Sequence, residues 1–334
     1  MLPLRFVPYH RLADTPNAVV DGSPMTSTLL TLSHWPGSPT PIELQDDLSA
    51  QIAFRALMEP SRFEGIEAVS NNHFDQDGLV SAFVLIDPEA AVARRARLID
   101  VASAGDFAVF DDRDAMRVAM AIAAHDDPER SPLGAAIFAD GYEEQCGRLY
   151  EALLPRLADM VDRPEAVRHL WEDEDAHLTE SLAAIDAGVV QLHEEPELDL
   201  AVCVVPDEWA TRATTRFTMA ATEALHPAAL PNRTSRMRLV VSQAGVHRLQ
   251  CRYETWVMFR SRPLMPRPDL RLLAARLDEV EGRAAWHAGA PGSLTPELAP
   301  TAGTSGTSLS LEQFLAETRR FLRTALPAWD PTRT

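Results

Sequence analysis

The sequence predicts an α/β protein: a parallel-type sheet with a large helical insertion in the N-terminal domain, followed by a smaller α+β C-terminal domain. Three observations support this fold class. Short β-like runs before residue 78 each lead to a polar residue, the pattern from 87 to 188 is mostly helical, and strand-like patterning resumes after residue 196. We therefore expect two domains, 1–195 and 196–334.

Three apolar runs near the N-terminus are predicted strands, because turn residues follow each of them. They are 18–20, 28–33 and 66–70. In a parallel sheet the carboxyl ends of neighbouring strands lie at one edge, where α/β proteins commonly bind ligands. The segment 42–58 can form a helix that crosses between two of the strands. A site at this edge would be marked by the polar residues that follow the runs, Asp21, His34 and His73.

One connection leaves an alternative open. Between Asp21 and Thr28 the chain is too short for the usual crossover between parallel strands, so the first two strands can also form a hairpin. A hairpin would place Asp21 and His34 at opposite ends of the strands. Of the two residues we favour His34 at the site edge, with a capping or packing histidine as the alternative.

The remaining elements follow from periodicity and from turn residues. In the insertion the pattern predicts helices at 88–99, 115–124, 133–160 with a kink at Pro155, and 164–187. After residue 196 it predicts strands at 198–205, 237–242 and 246–260, the last two joined in a hairpin, and helices at 217–225, 270–281 and 311–322. Residues 289–308, rich in Pro, Gly, Ser and Thr, are a predicted loop.

Composition excludes several classes of function. The chain has 334 residues, is 46% hydrophobic and carries a formal charge of −18, which argues against general binding to nucleic-acid backbones. It has no lysine, so neither a Schiff-base lysine nor a P-loop lysine is available. Its three widely spaced cysteines make neither a disulfide framework nor a zinc ribbon. With no apolar run long enough for a membrane span and no signal-peptide pattern, we expect a cytoplasmic protein.

The most informative stretch is the loop after the third predicted strand, which reads Asn-Asn-His-Phe-Asp-Gln-Asp-Gly from residue 71. His73, Asp75 and Asp77 alternate, and alternate residues of an extended segment point the same way. Imidazole and carboxylate together suit manganese, iron or zinc better than calcium. Gly78 allows a tight turn of the backbone. The alternative is an acidic, Asn-rich turn that caps the following helix, with Asp77 as the N-cap.

This octet resembles motif I of the DHH phosphoesterase superfamily, His-x-Asp-x-Asp-Gly followed by a helix with small residues, here Ser81-Ala82. The resemblance implies that His73, Asp75 and Asp77 act in catalysis and bind metal. It also implies a further aspartate from a second motif, for which Asp106 is the best candidate, with a turn aspartate as the alternative. We add His34 to this set of metal ligands.

The resemblance implies a metal-dependent phosphoesterase or pyrophosphohydrolase, with one or two Mn²⁺ ions and a metal-activated water that attacks a small phosphorylated or nucleotide-type substrate. The Asp-His-His motif that names the superfamily is absent, and its nearest counterpart is His125-Asp126-Asp127. The chain therefore departs from the family pattern. The alternative is a non-catalytic metal- or ligand-binding protein that retains the fold.

The C-terminal part is locally basic, and guanidinium groups bind phosphate well. DHH-like enzymes contact substrate through a C-terminal domain, and Ser242–Arg248 faintly resembles the Gly-rich, His-containing stretch used there. We predict Arg248, Arg252 and His247 as substrate-binding residues, with the solvent face of a sheet as the alternative. The expected partner is a small anionic substrate, without nucleic-acid backbones or membranes, and a homodimer is left open.

Overall fold

The structure is a computed structural model that describes residues 4–216, 219–301 and 306–333. It confirms the predicted fold class, a mixed α/β fold with a parallel sheet and further sheets. The strands in chain order are β1 Arg5–Phe6, β2 Asn17–Val20, β3 Thr28–Leu32, β4 Ala68–Ser70, β5 Gln191–Glu195, β6 Leu200–Val204, β7 Arg212–Arg216, β8 Met219–Glu223, β9 Arg238–Gln243, β10 Val246–Cys251, β11 Arg267–Pro268, β12 Trp286–Ala288, β13 Glu297–Pro300 and β14 Pro327–Trp329. The α-helices are α1 Ser49–Ala56, α2 Gln76–Ile86, α3 Pro88–Ala93, α4 Arg95–Asp106, α5 Arg113–His125, α6 Tyr142–Leu153, α7 Leu157–Asp162, α8 Glu172–Asp186, α9 Leu270–Val280 and α10 Leu311–Thr324. None of the helices in the described residues is long and apolar enough to cross a membrane.

The residues form two compact units. One contains Met1–His177, Ala213–Thr222 and Met258–Ser261, and the other contains Leu178–Arg212, Glu223–Val257 and Arg262–Thr334. The first long segment thus ends within α8, whereas the predicted division fell between residues 195 and 196. The boundary between residues 195 and 196 stays a prediction about independently folding domains. The compact units do not test it, because a compact unit need not fold by itself.

The first unit is built on a parallel sheet. Among the described residues its order is β1-β4-β2-β3, and each neighbouring pair is parallel. The hairpin alternative is therefore wrong, because β2 and β3 run in the same direction. These strands have only four and five residues, so the link 21–27 can retrace their length. Asp21 begins that link in the left-handed region, with φ of 45°. Because β2 and β3 run in the same direction, Asp21 and His34, which follow them, lie at the same edge of the sheet.

The helical insertion follows the predicted pattern with more breaks. The helix predicted over 88–99 is two helices, α3 and α4, because Arg94 between them leaves helical geometry at φ −118° and ψ 13°. The helix predicted over 133–160 is interrupted at Pro155, where a short 3-10 turn separates α6 from α7. The crossover helix is shorter than predicted, since only Ser49–Ala56 is α-helical.

In the second unit, a mostly antiparallel sheet has the order β12-β13-β10-β9-β6-β5 among the described residues, and only its β6–β9 pair is parallel. The β9–β10 hairpin is confirmed, with Ala244 and Gly245 at positive φ in the turn. Leu200, Val240 and Leu249 of this sheet pack in one core cluster with residues of α9 and α10, among them Leu273 and Phe314.

Two predictions for the C-terminal half were wrong, and a third, the strand over 246–260, holds only as far as Cys251. The helix predicted over 217–225 is the strand β8 from Met219 to Glu223, and its first two positions lie outside the described residues. The loop predicted over 289–308 contains the strand β13, and its residues 302–305 also lie outside the described part. In both places strand pairing overrode a local pattern that reads as helix or loop.

Candidate metal centre

The carboxyl edge of the parallel sheet brings together a first group of possible ligands, Asp21, His34 and Asp77. Their ligand atoms all lie within 4.8 Å of one another. The Nε2 atom of His34 is 3.4 Å from Asp21 Oδ1 and 3.9 Å from Asp77 Oδ2. Asp106, at the end of α4, joins this group, with its Oδ2 atom 3.3 Å from the same nitrogen. All four side chains are at most 1% exposed.

A second group consists of Asp21, His73 and Asp75. His73 Nε2 is 2.9 Å from Asp75 Oδ2 and 3.2 Å from Asp21 Oδ2. Asp21 therefore belongs to both groups, with Oδ1 directed to His34 and Oδ2 to His73. A carboxylate placed in this way can bridge two ions.

The hydrogen bonds of His34 prepare it to act as a ligand. Its Nδ1 atom lies 2.5 Å from the carbonyl oxygen of Asp47, which can only accept, so Nδ1 carries the hydrogen. In the neutral form of the ring the lone pair is then on Nε2, the nitrogen that faces the carboxylates of Asp21, Asp77 and Asp106. Histidines that bind metal are commonly oriented by such a bond from the second nitrogen.

The helix caps differ from the sequence-based alternative, which made Asp77 the N-cap. The N-cap of α2 is Asp75, whose Oδ1 atom accepts the backbone N–H of Gly78 at 2.8 Å while Oδ2 faces His73. Asp77 lies within α2 and accepts the backbone N–H groups of Ser49 and Ala50, both at 2.7 Å, at the start of α1. Each carboxylate thus caps a helix and also faces the cluster, so capping and ligand roles do not exclude each other.

Charge balance indicates that a cation fits this site. Among the described residues the cluster holds four buried carboxylates and two imidazoles, so with every group ionised two negative charges would be in excess. Burial, and then the neighbouring carboxylates, raise the pKa of Asp21 and raise that of Asp77 well above its usual value. Burial lowers the pKa of His73, but the charges of Asp75 and Asp21 outweigh it and raise that pKa to about 10. Buried charges of one sign are normally paired or bind metal, and this donor set suits manganese, iron or zinc.

The glycine of the motif is required by a close approach of side chains. A Cβ atom at Gly78 would lie 2.3 Å from Asn71 Nδ2 and 2.4 Å from Tyr150 Oη. The loop behind the cluster is held in a related way, because Asn72 Oδ1 accepts the backbone N–H of Ser23, two residues after Asp21. The asparagines of the octet therefore support the loops that carry the ligands.

The structure brings His73, Asp75, Asp77, Asp106 and His34 together, as the sequence predicted. Their roles as ligands and in catalysis stay predictions. Sequence reasoning passed over Asp21 as a ligand, although its position after a strand was the signal that could have retained it. It also missed Ser49, for which no sequence signal exists, because its hydroxyl meets Asp21 across 28 positions of chain.

Neither group of possible ligands found in the described part of the chain includes a residue of His125-Asp126-Asp127, the nearest counterpart of the Asp-His-His motif. His125 is buried at the end of α5, where its Nδ1 atom bonds the carbonyl oxygen of Ala121 at 2.7 Å. Burial lowers the pKa of His125, which favours the neutral form of its imidazole. The neighbouring Asp126 is also buried, accepting a hydrogen bond from Gln145 Nε2 at 2.7 Å on one oxygen.

We expect Asp126→Asn to stabilise the metal-free protein at and above neutral pH. Burial raises the pKa of Asp126 to about 7, so the folded state holds its proton more tightly than the unfolded chain does. Stability is then lost as pH rises from about 4 to about 7, by up to ~4 kcal/mol for a shift of this size. The variant should recover about 1–2 kcal/mol at pH 8, because its amide is also buried. Urea unfolding of parent and variant at pH 4.5 and pH 8 measures this. An equal difference at both pH values would contradict it.

The three predicted substrate-binding residues lie in the second unit in different environments. Arg252 is buried and paired with Glu254, and it also donates to the carbonyl oxygen of Thr234. His247 is buried between the Ser242 hydroxyl and the Leu309 carbonyl oxygen. Arg248 is 43% exposed and lies 3.6 Å from Glu223. Their role as substrate contacts stays a prediction.

Comparisons with known proteins give a family and a distant structural likeness. The model of DUF6687, a family of unknown function, matches residues 2–333. The solved structure of a pGpG-specific phosphodiesterase, PggH from Vibrio cholerae, is similar at 11% identity and a TM-score of 0.41, covering 92% of this chain and 82% of that one. No curated protein matches the chain. At this level the structural likeness does not inform the function.

Proposed function

Because the chain belongs to the DUF6687 family, whose function is unknown, we propose its function from the site alone: it is a metal-dependent phosphoesterase or pyrophosphohydrolase acting on a small phosphorylated or nucleotide-type substrate. The observation that carries this proposal is the position of Asp21 between two groups of possible ligands. The likeness of His73, Asp75, Asp77 and Gly78 to motif I of the DHH phosphoesterases supports it independently.

In this proposal the chain's own residues hold two divalent ions, with manganese the expected metal. His34, Asp77 and Asp106 would hold one ion, His73 and Asp75 the other, and Asp21 both. Such ions lower the pKa of a bound water toward neutral pH and offset negative charge on a phosphoryl group. The hydrogen bond from His34 to the Asp47 carbonyl oxygen keeps Nε2 directed at the site, and the helix cap by Asp75 keeps its second oxygen directed at His73.

For substrate recognition, the environments in the second unit favour Arg248 over the other two candidates. Its guanidinium is partly exposed, whereas the donors of Arg252 and His247 are engaged within the unit. A guanidinium binds phosphate through paired hydrogen bonds, which fits a small anionic substrate. A cytoplasmic setting and a homodimer stay expectations.

A second candidate function is a metal-binding protein without catalysis. The observation that favours it is that neither group of possible ligands in the described residues includes His125. Such a protein would bind the same ions at the same residues and would hydrolyse nothing. Turnover therefore separates the two candidates, whereas metal content does not.

We expect the purified protein to carry or take up a divalent transition metal, up to two ions per chain. The excess of buried carboxylates gives the reason, since a cation offsets their repulsion. Elemental analysis after incubation with manganese, zinc or iron measures uptake, and hydrolysis of bis(4-nitrophenyl) phosphate measures turnover.

The control for this experiment is a variant with both imidazoles removed, His34→Ala with His73→Ala, which should retain less than one ion. A parent protein that takes up none of the three metals would overturn both candidate functions. Uptake without hydrolysis of this diester or of a pyrophosphate would favour the binding protein.

A further inference from the structure

The turn that precedes and begins α1, Asp47–Ala50, contacts three of the possible ligands, and we name it the orienting turn. The carbonyl oxygen of Asp47 accepts from His34 Nδ1 at 2.5 Å. The backbone N–H groups of Ser49 and Ala50 donate to the two oxygens of Asp77. All of these contacts go to members of the first group.

Within this turn, Ser49 makes the most connections. Its hydroxyl donates to Asp21 Oδ1 at 2.7 Å and accepts the backbone N–H of His34 at 3.2 Å. Its own backbone N–H reaches Asp77 Oδ2. One fully buried residue therefore touches Asp21, His34 and Asp77.

The bond from Ser49 helps to fix the direction of the Asp21 side chain, beside its contacts with His34 and His73. The terminal torsion of an aspartate has a broad minimum, so hydrogen bonds decide how its oxygens are directed. With Oδ1 held by Ser49 and near His34, Oδ2 is directed toward His73. The assignment of one oxygen to each group thus depends on the Ser49 hydroxyl.

The orienting turn is itself held by a distant part of the same compact unit. The Oδ1 atom of Asp47 accepts the backbone N–H groups of Arg260 and Ser261 at 2.6 and 2.8 Å, and Met258 donates its N–H to the carbonyl oxygen of His34 at 2.8 Å. Among the described residues, the turn makes no hydrogen bond to His73 or Asp75: the His73 N–H donates to Asn71 Oδ1, and Asp75 Oδ1 accepts the Gly78 N–H. Apart from Asp21, which both groups share, the turn therefore contacts only members of the first group.

We propose that Ser49 is a positioning residue that directs Asp21 and His34 toward a first metal ion. It thereby makes the affinity for this first ion different from the affinity for the second ion. The proposal rests on the proposed function only in requiring that the cluster binds two divalent ions. It does not require turnover. Residues that orient metal ligands typically change metal affinity by 10–100-fold when they are altered.

The test is a titration of Co²⁺ or Mn²⁺ into metal-stripped protein, read by calorimetry and, for cobalt, by visible absorption. We expect Ser49→Ala to weaken one binding event by about 10–100-fold and the other by less than about 3-fold. His34→Ala and His73→Ala identify the events, and the weakened one should be the event that His34→Ala removes. Ser49→Thr keeps the hydroxyl and should restore most of the affinity.

Ser70→Ala is the matched control, because it also removes a buried serine hydroxyl in the same unit, one that donates to the Val7 carbonyl oxygen at 2.6 Å. It should bind both ions as the parent does. If Ser49→Ala does not fold, Ser49→Gly gives the same comparison. The proposal would be overturned if Ser49→Ala bound both ions as tightly as the parent does, or if it weakened both binding events equally. A parent that binds fewer than two ions would overturn it together with the two-ion site, whereas a parent that binds two ions without turnover would leave it standing.

Discussion

Asp21→Asn is expected to abolish both metal-binding events and all metal-dependent turnover, the largest effect of any single change in the cluster. Asp21 is the residue whose two oxygens face different groups, 3.4 Å from His34 and 3.2 Å from His73. An asparagine keeps the shape and keeps an acceptor for the Ser49 hydroxyl, but it removes the charge and replaces one oxygen by a group that cannot bind metal. Both ions then lose the ligand that they share.

The measurement is the melting temperature with and without manganese, together with calorimetric titration. The parent should gain stability with metal, as expected for a ligand that binds only the folded state. The variant should gain none, and its metal-free form should be at least as stable as the parent, because one of several crowded carboxylates has become neutral. Asp100→Asn is the matched control: Asp100 accepts backbone N–H groups from Asp111 and Asp112 in the same unit and should leave metal binding unchanged. Retention of one tight binding event in Asp21→Asn would show that the carboxylate is not shared.

The sequence predicted the edge of the sheet at which the cluster lies, because strand ends can be read from local pattern. The runs before Asp21, His34 and His73 are short and apolar, and each is followed by turn residues. The direction of β3 relative to β2 could not be read in the same way. The usual length of a crossover argues for a hairpin, and strands of four and five residues are short enough for the link to retrace them.

The roles of individual carboxylates were less predictable than their positions. Asp75 and Asp77 both precede or begin an apolar helix, so either fits the N-cap of α2 on local grounds. In the structure Asp75 is the N-cap of α2. Asp77 instead accepts a backbone N–H at the start of α1, a helix that begins 28 positions earlier in the chain. Ser49 was unpredictable for the same reason, since its contacts with Asp21 and Asp77 exist only after the sheet and α1 have come together.

The substrate-binding candidates illustrate a different limit. Arg248, Arg252 and His247 look equivalent in sequence, as polar residues along or near one strand. Burial separates them, because Arg252 and His247 are buried, whereas Arg248 is partly exposed beside Glu223. Alternation identifies the two faces of a strand, but it does not show what covers each face.

Asp75→Asn is expected to abolish turnover and the binding event of the second group while leaving the fold and the first event intact. The two oxygens of Asp75 act separately: Oδ1 caps α2 through the Gly78 N–H, and Oδ2 lies 2.9 Å from His73 Nε2. An asparagine oriented with its oxygen toward Gly78 keeps the cap, since asparagine and aspartate are equally good N-caps. Its amide nitrogen then faces the second group, where it cannot bind metal.

The distinction from a purely structural role lies in the metal dependence. If Asp75 only capped the helix, Asp75→Asn would change stability by well under ~1 kcal/mol and would leave activity alone. As a ligand, it should reduce the stabilisation by manganese to the contribution of the first ion, with a metal-free melting temperature equal to or above that of the parent. Asp87→Asn is the matched control, because Asp87 caps α3 through the Ala90 N–H at an exposed position and has no part in the cluster. A variant stabilised by manganese as much as the parent, at full turnover, would remove Asp75 from the ligand set and with it the strongest link to motif I of the DHH phosphoesterases.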